Sequence, residues 1–234
     1  FFKWYKIKHK AQGMIKQSVY ALPEINRIKI KDSKIISCPG CYPTSILLPL
    51  IPLLKKKLIS NNNIIIDSKS GYSGAGRKVH KKYKYLNLYE SLSAYGLAIH
   101  RHNIEIQQEL DLKTGTINKF QFTPHLTPMF RGILSTIYVD LKKGINKNIV
   151  YRTLKKYFKN EQFVKVVKVD TFLSTNDVIN TNNCVISVCG SKYQNKLIIL
   201  SAIDNLIKGG SGQAVQNMNI RFNLKENEGL SDKI

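Results

Sequence analysis

Apolar and polar residues alternate with period two over 132–141, with Ile133, Ser135, Ile137 and Val139 on one face and Leu134, Thr136, Tyr138 and Asp140 on the other. That alternation predicts a strand with one face toward a core. Short apolar runs predict further strands at 34–38, 64–67, 119–123 and 163–169, and the runs 184–188 and 196–202, joined through 190–195, predict a hairpin. Helical patterns start at Tyr42, with Pro43 in the first turn, and continue to Leu50; others cover 103–110, an amphipathic 148–159, and 211 to about 224, entered through Gly209-Gly210. Mixed strands and helices of this kind predict an α/β or α+β fold. Neither a fixed-period repeat nor a Gly/Ser-rich or Pro-rich linker divides the chain.

Composition narrows the class. With 43% hydrophobic and 22% charged residues in 234, the chain is globular. Its longest nearly uncharged apolar run, 45–54, carries two prolines and falls well short of the ~20 residues that cross a bilayer, so no membrane partner is expected. The first residues, Phe1-Phe2-Lys3-Trp4-Tyr5, lack an initiator Met and do not read as a secretory signal, and a fragment or processed product is expected. Four cysteines are too few for a disulfide scaffold, which makes a reducing compartment, the cytoplasm, the expected location. Cys38, Cys41, Cys184 and Cys189 could supply four thiolates to zinc, but the second pair is loosely spaced and far from the first, and no metal is expected. The balance of 37 Lys+Arg against 15 Asp+Glu invites a nucleic-acid partner. The lysines are spread evenly, however, and come with abundant Asn and Ile, the residues of A/T-rich codons, so coding bias is the preferred reading and nucleic acid is not expected to bind. The positive field still favours anionic ligands.

The chemistry concentrates at Cys38-Pro39-Gly40-Cys41-Tyr42-Pro43-Thr44. A Pro-Gly turn between a strand and a helix sets Cys41 at a helix N-terminus, where unpaired backbone N–H groups and the helix dipole favour a thiolate. Without such help a thiol is only about 3% ionised at pH 7. His100-Arg101-His102, followed by Glu105, puts a proton-transfer group beside a cation, and His125 with Arg131 makes a second polar spot flanked by prolines and Gly132. Ser70, Gly71, Ser73, Gly74, Ala75 and Gly76 form a small-residue loop that backbone or a phosphate could approach closely. The chain contains neither a Walker A motif nor G-x-G-x-x-G.

Taken together these segments resemble the N-acetyl-gamma-glutamyl-phosphate reductase family. The resemblance rests on Val19-Tyr20-Ala21-Leu22-Pro23-Glu24, Pro39 to Thr44, Asp67 to Arg77, His100-Arg101-His102 with Glu105-Ile106, Phe122 to Met129 with Arg131-Gly132, and Ile203 to Asn219, all in family order. It implies a semialdehyde-dehydrogenase-type α+β catalytic domain over 41–208. Residues 1–40 would be the end of an N-terminal Rossmann NADP-binding domain, most of it missing, to which 209–234 would return. It also implies NADPH-dependent reduction of an acyl phosphate, with inorganic phosphate released, through a thioester on Cys41, with His100 as acid/base and no metal. Arg101, His102, Tyr95, Glu105, His125 and Arg131 would contact substrate; Ser70 to Gly76 with Gln213 and Asn217 would contact NADP. A homo-oligomer is expected. The departures are Cys38 where the family usually has Asn, Ala21 where Gly is usual, and Asn103-Ile104 after the histidines. The alternatives are an aspartate-semialdehyde or aminoadipate-type acyl-phosphate reductase, a non-catalytic remnant, and a basic nucleic-acid-binding protein.

Overall fold

The computed structural model describes residues 6–75 and 89–230. A short helix α1 (Gln12–Ile15) leads into β1 (Ser18–Tyr20), α2 (Pro23–Asp32) and β2 (Ile35–Ser37), and β1 pairs with β2 in parallel. Pro23 starts α2, where its missing N–H costs nothing. The strand at 34–38 is thus present in shortened form; β1 and α2 are too short or too polar to show a clear period.

A seven-stranded sheet forms the body, in the order β4-β5-β3-β6-β9-β8-β7. Its strands are β3 (Ile64–Gly71), β4 (Ser93–Ala94), β5 (Phe120–Thr127), β6 (Ile133–Asp140), β7 (Val164–Val166), β8 (Cys184–Gly190) and β9 (Lys196–Ile203). Pairs β3/β5 and β7/β8 are parallel; the other four pairs are antiparallel. The expected hairpin is β8–β9, and β6 buries the predicted face. Strand β5 runs through Pro124, four residues beyond the expected end, which takes His125 out of a loop and into the sheet.

Three helices, α3 (Cys41–Lys55), α4 (His102–Thr114) and α5 (Lys147–Tyr157), cover one face. Their Leu47, Leu50, Ile106, Leu110, Val150 and Leu154 pack on Ile66, Phe122, Ile137 and Ile199 of the strands. Helix α3 passes through Pro49 and Pro52, past the Leu50 at which the helical pattern stops being readable. Each proline removes a backbone donor. Every residue from Tyr42 to Leu54 is buried, and packing a helix that is apolar on nearly every side between sheet and neighbours outweighs that loss. Beneath its first turn the Ser45 hydroxyl meets Ser135 at 2.8 Å and Ser135 meets Ser68 at 2.7 Å, so buried serines register α3 on β3 and β6. Asn146 caps α5, accepting from the Asn148 and Ile149 amides.

The last helix, α6 (Gly212–Arg221), is entered through a wide turn at Ile207–Ser211 and ends at Arg221 rather than near 224. It packs on the first elements of the chain, with Ile220 against Val19, Ala21 and Ile30. Among the described residues no helix is long and apolar enough to cross a membrane. Leu50 is wholly buried in the main core. Leu50→Ala is expected to cost about 2–5 kcal/mol, seen as a lower urea midpoint with little change in slope; a loss below ~1 kcal/mol would contradict this account of α3.

Candidate active site

Strand β2 ends one residue before Cys38, Pro39-Gly40 turns the chain, and Cys41 opens α3 as its first residue. Gly40 is extended, and its carbonyl accepts from the Thr44 amide and hydroxyl. Two other parts of the chain press on this elbow so closely that side chains are excluded. A Cβ on Gly40 would overlap the His102 ring, and a Cβ on Gly209 would lie 2.6 Å from Cys41 Cβ and 3.0 Å from its Cα. Local sequence thus makes the turn, while α4 and the 207–211 turn close it in.

A cavity of about 260 Å³ opens over the thiol, lined by Gly40, Cys41, Tyr42, Ser70, Ser73, Gly74, Tyr95, His100, Arg101, His102, Asn205, Leu206 and Gly209. His100 stands among aromatic rings, with centroids 5.7 Å from Tyr42, 5.4 Å from Tyr95 and 4.8 Å from His102. Its Nδ1 accepts the His102 backbone N–H at 3.2 Å, which leaves the ring proton of the neutral form on Nε2, able to donate. Tyr95 Oη donates to Tyr42 Oη (3.1 Å), which donates to the His125 carbonyl (3.2 Å). Asn205 joins two walls, donating to Ser73 Oγ at 3.0 Å and accepting from the Gly132 amide at 2.6 Å.

The site is electrically quiet. Burial, and then the Arg101 charge, hold His100 down at about 4; burial followed by His100 and Arg101 takes His102 down to about 3. Both rings are neutral at pH 7. Burial pushes the Cys41 thiol up to about 11, against the lowering pull of the amides at the helix start, and nearby Glu105 raises it further. The elbow expected from sequence is therefore present, but the thiolate expected from it is outweighed by desolvation.

The remaining sequence-predicted residues divide. Tyr95, Arg101, His102, Ser70, Ser73 and Gly74 line the cavity with Cys41 and His100. Gly71 is buried where a Cβ would strike the Phe130 carbonyl, Ala75 ends the exposed turn Tyr72–Ala75, and Gly76 lies outside the described residues. Glu105 sits behind the elbow, its Oε1 accepting from the Gly40 amide and Tyr20 Oη, both at 2.8 Å. His125 points its ring at Asp67 on the half-exposed side of the sheet, Nδ1 to Oδ1 2.9 Å. Arg131 pairs with buried Asp204, Nε to Oδ2 2.9 Å, and donates to Asn180. Gln213 is buried and donates to Thr44 Oγ1, and Asn217 donates to the Ala21 carbonyl. His125 and Arg131 thus do not form one polar spot with each other, because β5 and the turn before β6 aim them at different acids. Cys184 and Cys189 are buried in β8, and among the described residues no cluster of three or more His, Cys, Asp or Glu could hold a metal ion. Tyr42 and Asn205 were not singled out from sequence; Asn205 stood in the Asp204-Asn205-Leu206-Ile207-Lys208-Gly209 block, but Tyr42 carried no separate signal.

Iodoacetamide alkylation of Cys41, followed by peptide mass spectrometry in the ligand-free protein, should accelerate about tenfold per pH unit from 7 to beyond 10. The sign follows from the raised pKa, which leaves mostly thiol at neutral pH. A plateau near pH 7 would show an activated thiolate instead.

A family model described as semialdehyde dehydrogenase, dimerisation domain, matches residues 41–205. The N-acetyl-gamma-glutamyl-phosphate reductase of Thermoanaerobacter pseudethanolicus is 49% identical over 228 residues, 97% of this chain and 66% of that protein. That of Vesicomyosocius okutanii is 46% identical over 228 residues, with the same coverage of both chains. The chain therefore spans just under two thirds of the length of these curated relatives. Among solved structures, aspartate semialdehyde dehydrogenase II from Vibrio cholerae superposes with a TM-score of 0.70 at 15% identity, covering 89% of this chain and 69% of that one, a likeness of fold. With the elbow cysteine, the sheet and the matching model in agreement, this chain belongs to the semialdehyde dehydrogenase family.

Proposed function

We propose that the chain is the catalytic part of an N-acetyl-gamma-glutamyl-phosphate reductase, a cytoplasmic enzyme of arginine biosynthesis that uses NADPH to convert N-acetylglutamyl 5-phosphate to the 5-semialdehyde and phosphate. The observation that carries this reading is the single cavity holding Cys41 at a helix start and a donor-oriented His100. The 49% identity to a reductase of that name supports this choice of substrate. On this reading 41–208 is the catalytic domain, and 1–40 with 209–234 belongs to the cofactor-binding unit.

Cys41 Sγ attacks the acyl carbon, the bond from that carbon to the phosphate oxygen breaks, and a thioester remains. Because His100 Nδ1 is already engaged and the ring resists protonation, the thiol proton passes to the departing phosphate. His100 Nε2–H donates to the oxyanion that develops on the former carbonyl oxygen during reduction; as the C=O bond re-forms, the C–S bond breaks, freeing the semialdehyde and returning Cys41 as a thiolate that takes a proton from solvent. Arg101 at the cavity supplies the cation for the phosphate. NADPH, when bound, supplies the hydride. The buried carboxamide oxygens of Gln213 and Asn217 have no hydrogen-bond partner among the described residues, acceptors that would suit the carboxamide N–H of a nicotinamide nucleotide, and Ser70, Ser73 and Gly74 line the cavity over the thiol. Ser70, Gly71, Ser73, Gly74, Ala75, Gln213 and Asn217 would hold that nucleotide.

The partner of this chain is a second copy of itself. The sheet face opposite the helices carries Ile65, Tyr138 and Ile198 in one register row, with Ile65 44% and Tyr138 40% exposed, and the matching family is named for dimerisation.

The deciding assay uses the intact protein with N-acetylglutamate 5-semialdehyde, NADP and phosphate. NADPH formation should require phosphate, vanish in Cys41→Ser, and fall about 10²–10⁴-fold in His100→Asn. Turnover on aspartate semialdehyde alone would transfer the assignment to that substrate. Tyr138→Glu should shift the protein from dimer to monomer in light scattering at micromolar concentration; an unchanged mass would remove this face as the interface.

A further inference from the structure

A lysine with no exposure at all is held beneath the active site by partners that the proposed chemistry does not use. Lys208 Nζ donates to Glu24 Oε1 at 2.5 Å and to Gln216 Oε1 at 2.8 Å, and it lies 5.8 Å from the centroid of the Phe163 ring. Gln216 also donates to Glu24 Oε1 (3.1 Å) and to Glu226 Oε1 (2.8 Å), and accepts from Asn182 (2.9 Å). Burial would raise the Glu24 carboxyl, but the Lys208 ammonium overcomes this and holds it below its usual value, as a carboxylate.

This pair ties three distant parts of the chain together: α2 through Glu24, α6 through Gln216, and the Ile207–Ser211 turn through Lys208 itself. The start of that turn is also held by Asp204, whose carboxylate accepts from the Leu206 and Ile207 amides and pairs with Arg131. The residue next to Lys208 is Gly209, whose backbone touches Cys41 without room for a methyl group. Taking two charges out of water costs several kcal/mol per ion, and apolar replacements of such pairs are often as stable or more so. What a charged, directional clamp adds here is a single placement of the turn, and with it of the wall against which the thiol rests.

We infer that Lys208 is a positioning residue for the reaction, acting through Gly209 on Cys41; this rests on the reading of Cys41 as the nucleophile. A nucleophile misplaced by about 1 Å can lose ~10²-fold in rate while substrate binding elsewhere is kept.

The test compares the intact parent protein with Lys208→Met and with the double variant Lys208→Met/Glu24→Leu, which leaves no unpaired buried charge. Measured are kcat and KM, the thermal midpoint, and the alkylation rate of Cys41 by iodoacetamide. Lys208→Met should lower kcat about 10–100-fold with KM within threefold. The double variant should regain the thermal midpoint but not kcat, and should alkylate Cys41 at a rate more than threefold different from the parent. A kcat within threefold of the parent in either folded variant, or a kcat that returns together with the midpoint, would overturn the inference. Where the single variant does not fold, the double variant decides by the same criteria. A parent without phosphate-dependent turnover would refute the proposed function, and the alkylation rate would then still decide the role of Lys208.

Discussion

The contact on which this structure turns is that between the backbone of Gly209 and the Cα and Cβ of Cys41. It brings residues far apart in the chain to within van der Waals distance, with no side chain between them. On the other flank the His102 ring lies against Gly40, and Glu105 grips the Gly40 amide. The first turn of α3 is thus held between the first turn of α4 and the turn that precedes α6. Any movement of either neighbour is passed to the thiol, since a packed interior shifts rather than compresses.

Apart from Arg101, charge is arranged around the site rather than in it. The chain carries a formal +22, yet the cavity holds a neutral thiol and two neutral imidazoles, with Arg101 as its cation. The fully buried pair Lys208–Glu24 and the pair between Arg131 and buried Asp204 hold the start of the turn over Cys41. A cavity without net ionised acid can accept an anion without first displacing a counter-charge, and the low dielectric around it strengthens each hydrogen bond given to that anion.

The sheet separates two tasks by its two faces. The face under α3, α4 and α5 holds the core and, through Ser68, Ser135 and Ser45, sets the height of the helix that carries Cys41. The other face leaves Ile65 and Tyr138 exposed and carries the His125–Asp67 pair. Because side chains alternate along each strand, one residue of register decides which task a side chain serves. His125 falls on the second face although its carbonyl, one bond away in the backbone, supports Tyr42 in the first.

Much of this was legible in the residues themselves. The period-two run at 132–141, the hairpin of β8 and β9, and the amphipathic α5 follow from local pattern, and the Pro-Gly turn before Cys41 follows from backbone preference; these are properties of neighbours in the chain. The family motifs likewise marked Cys41, His100 and the small-residue segment at 70–76, of which Ser70, Ser73 and Gly74 line the cavity. The length of α3 was not legible, because two prolines argue against a helix that only burial on all sides sustains. Nor was the state of the thiol, since a helix start lowers its pKa while the walls that raise it come from elsewhere. Arg131, Glu105, Gln213 and Lys208 read alike in sequence, as polar residues near motifs. Tertiary structure alone assigned each to an acid, an amide or a hydroxyl. Local preference is written in adjacent residues, whereas desolvation and charge pairing depend on which distant groups exclude the water, and that is decided only when the chain closes on itself.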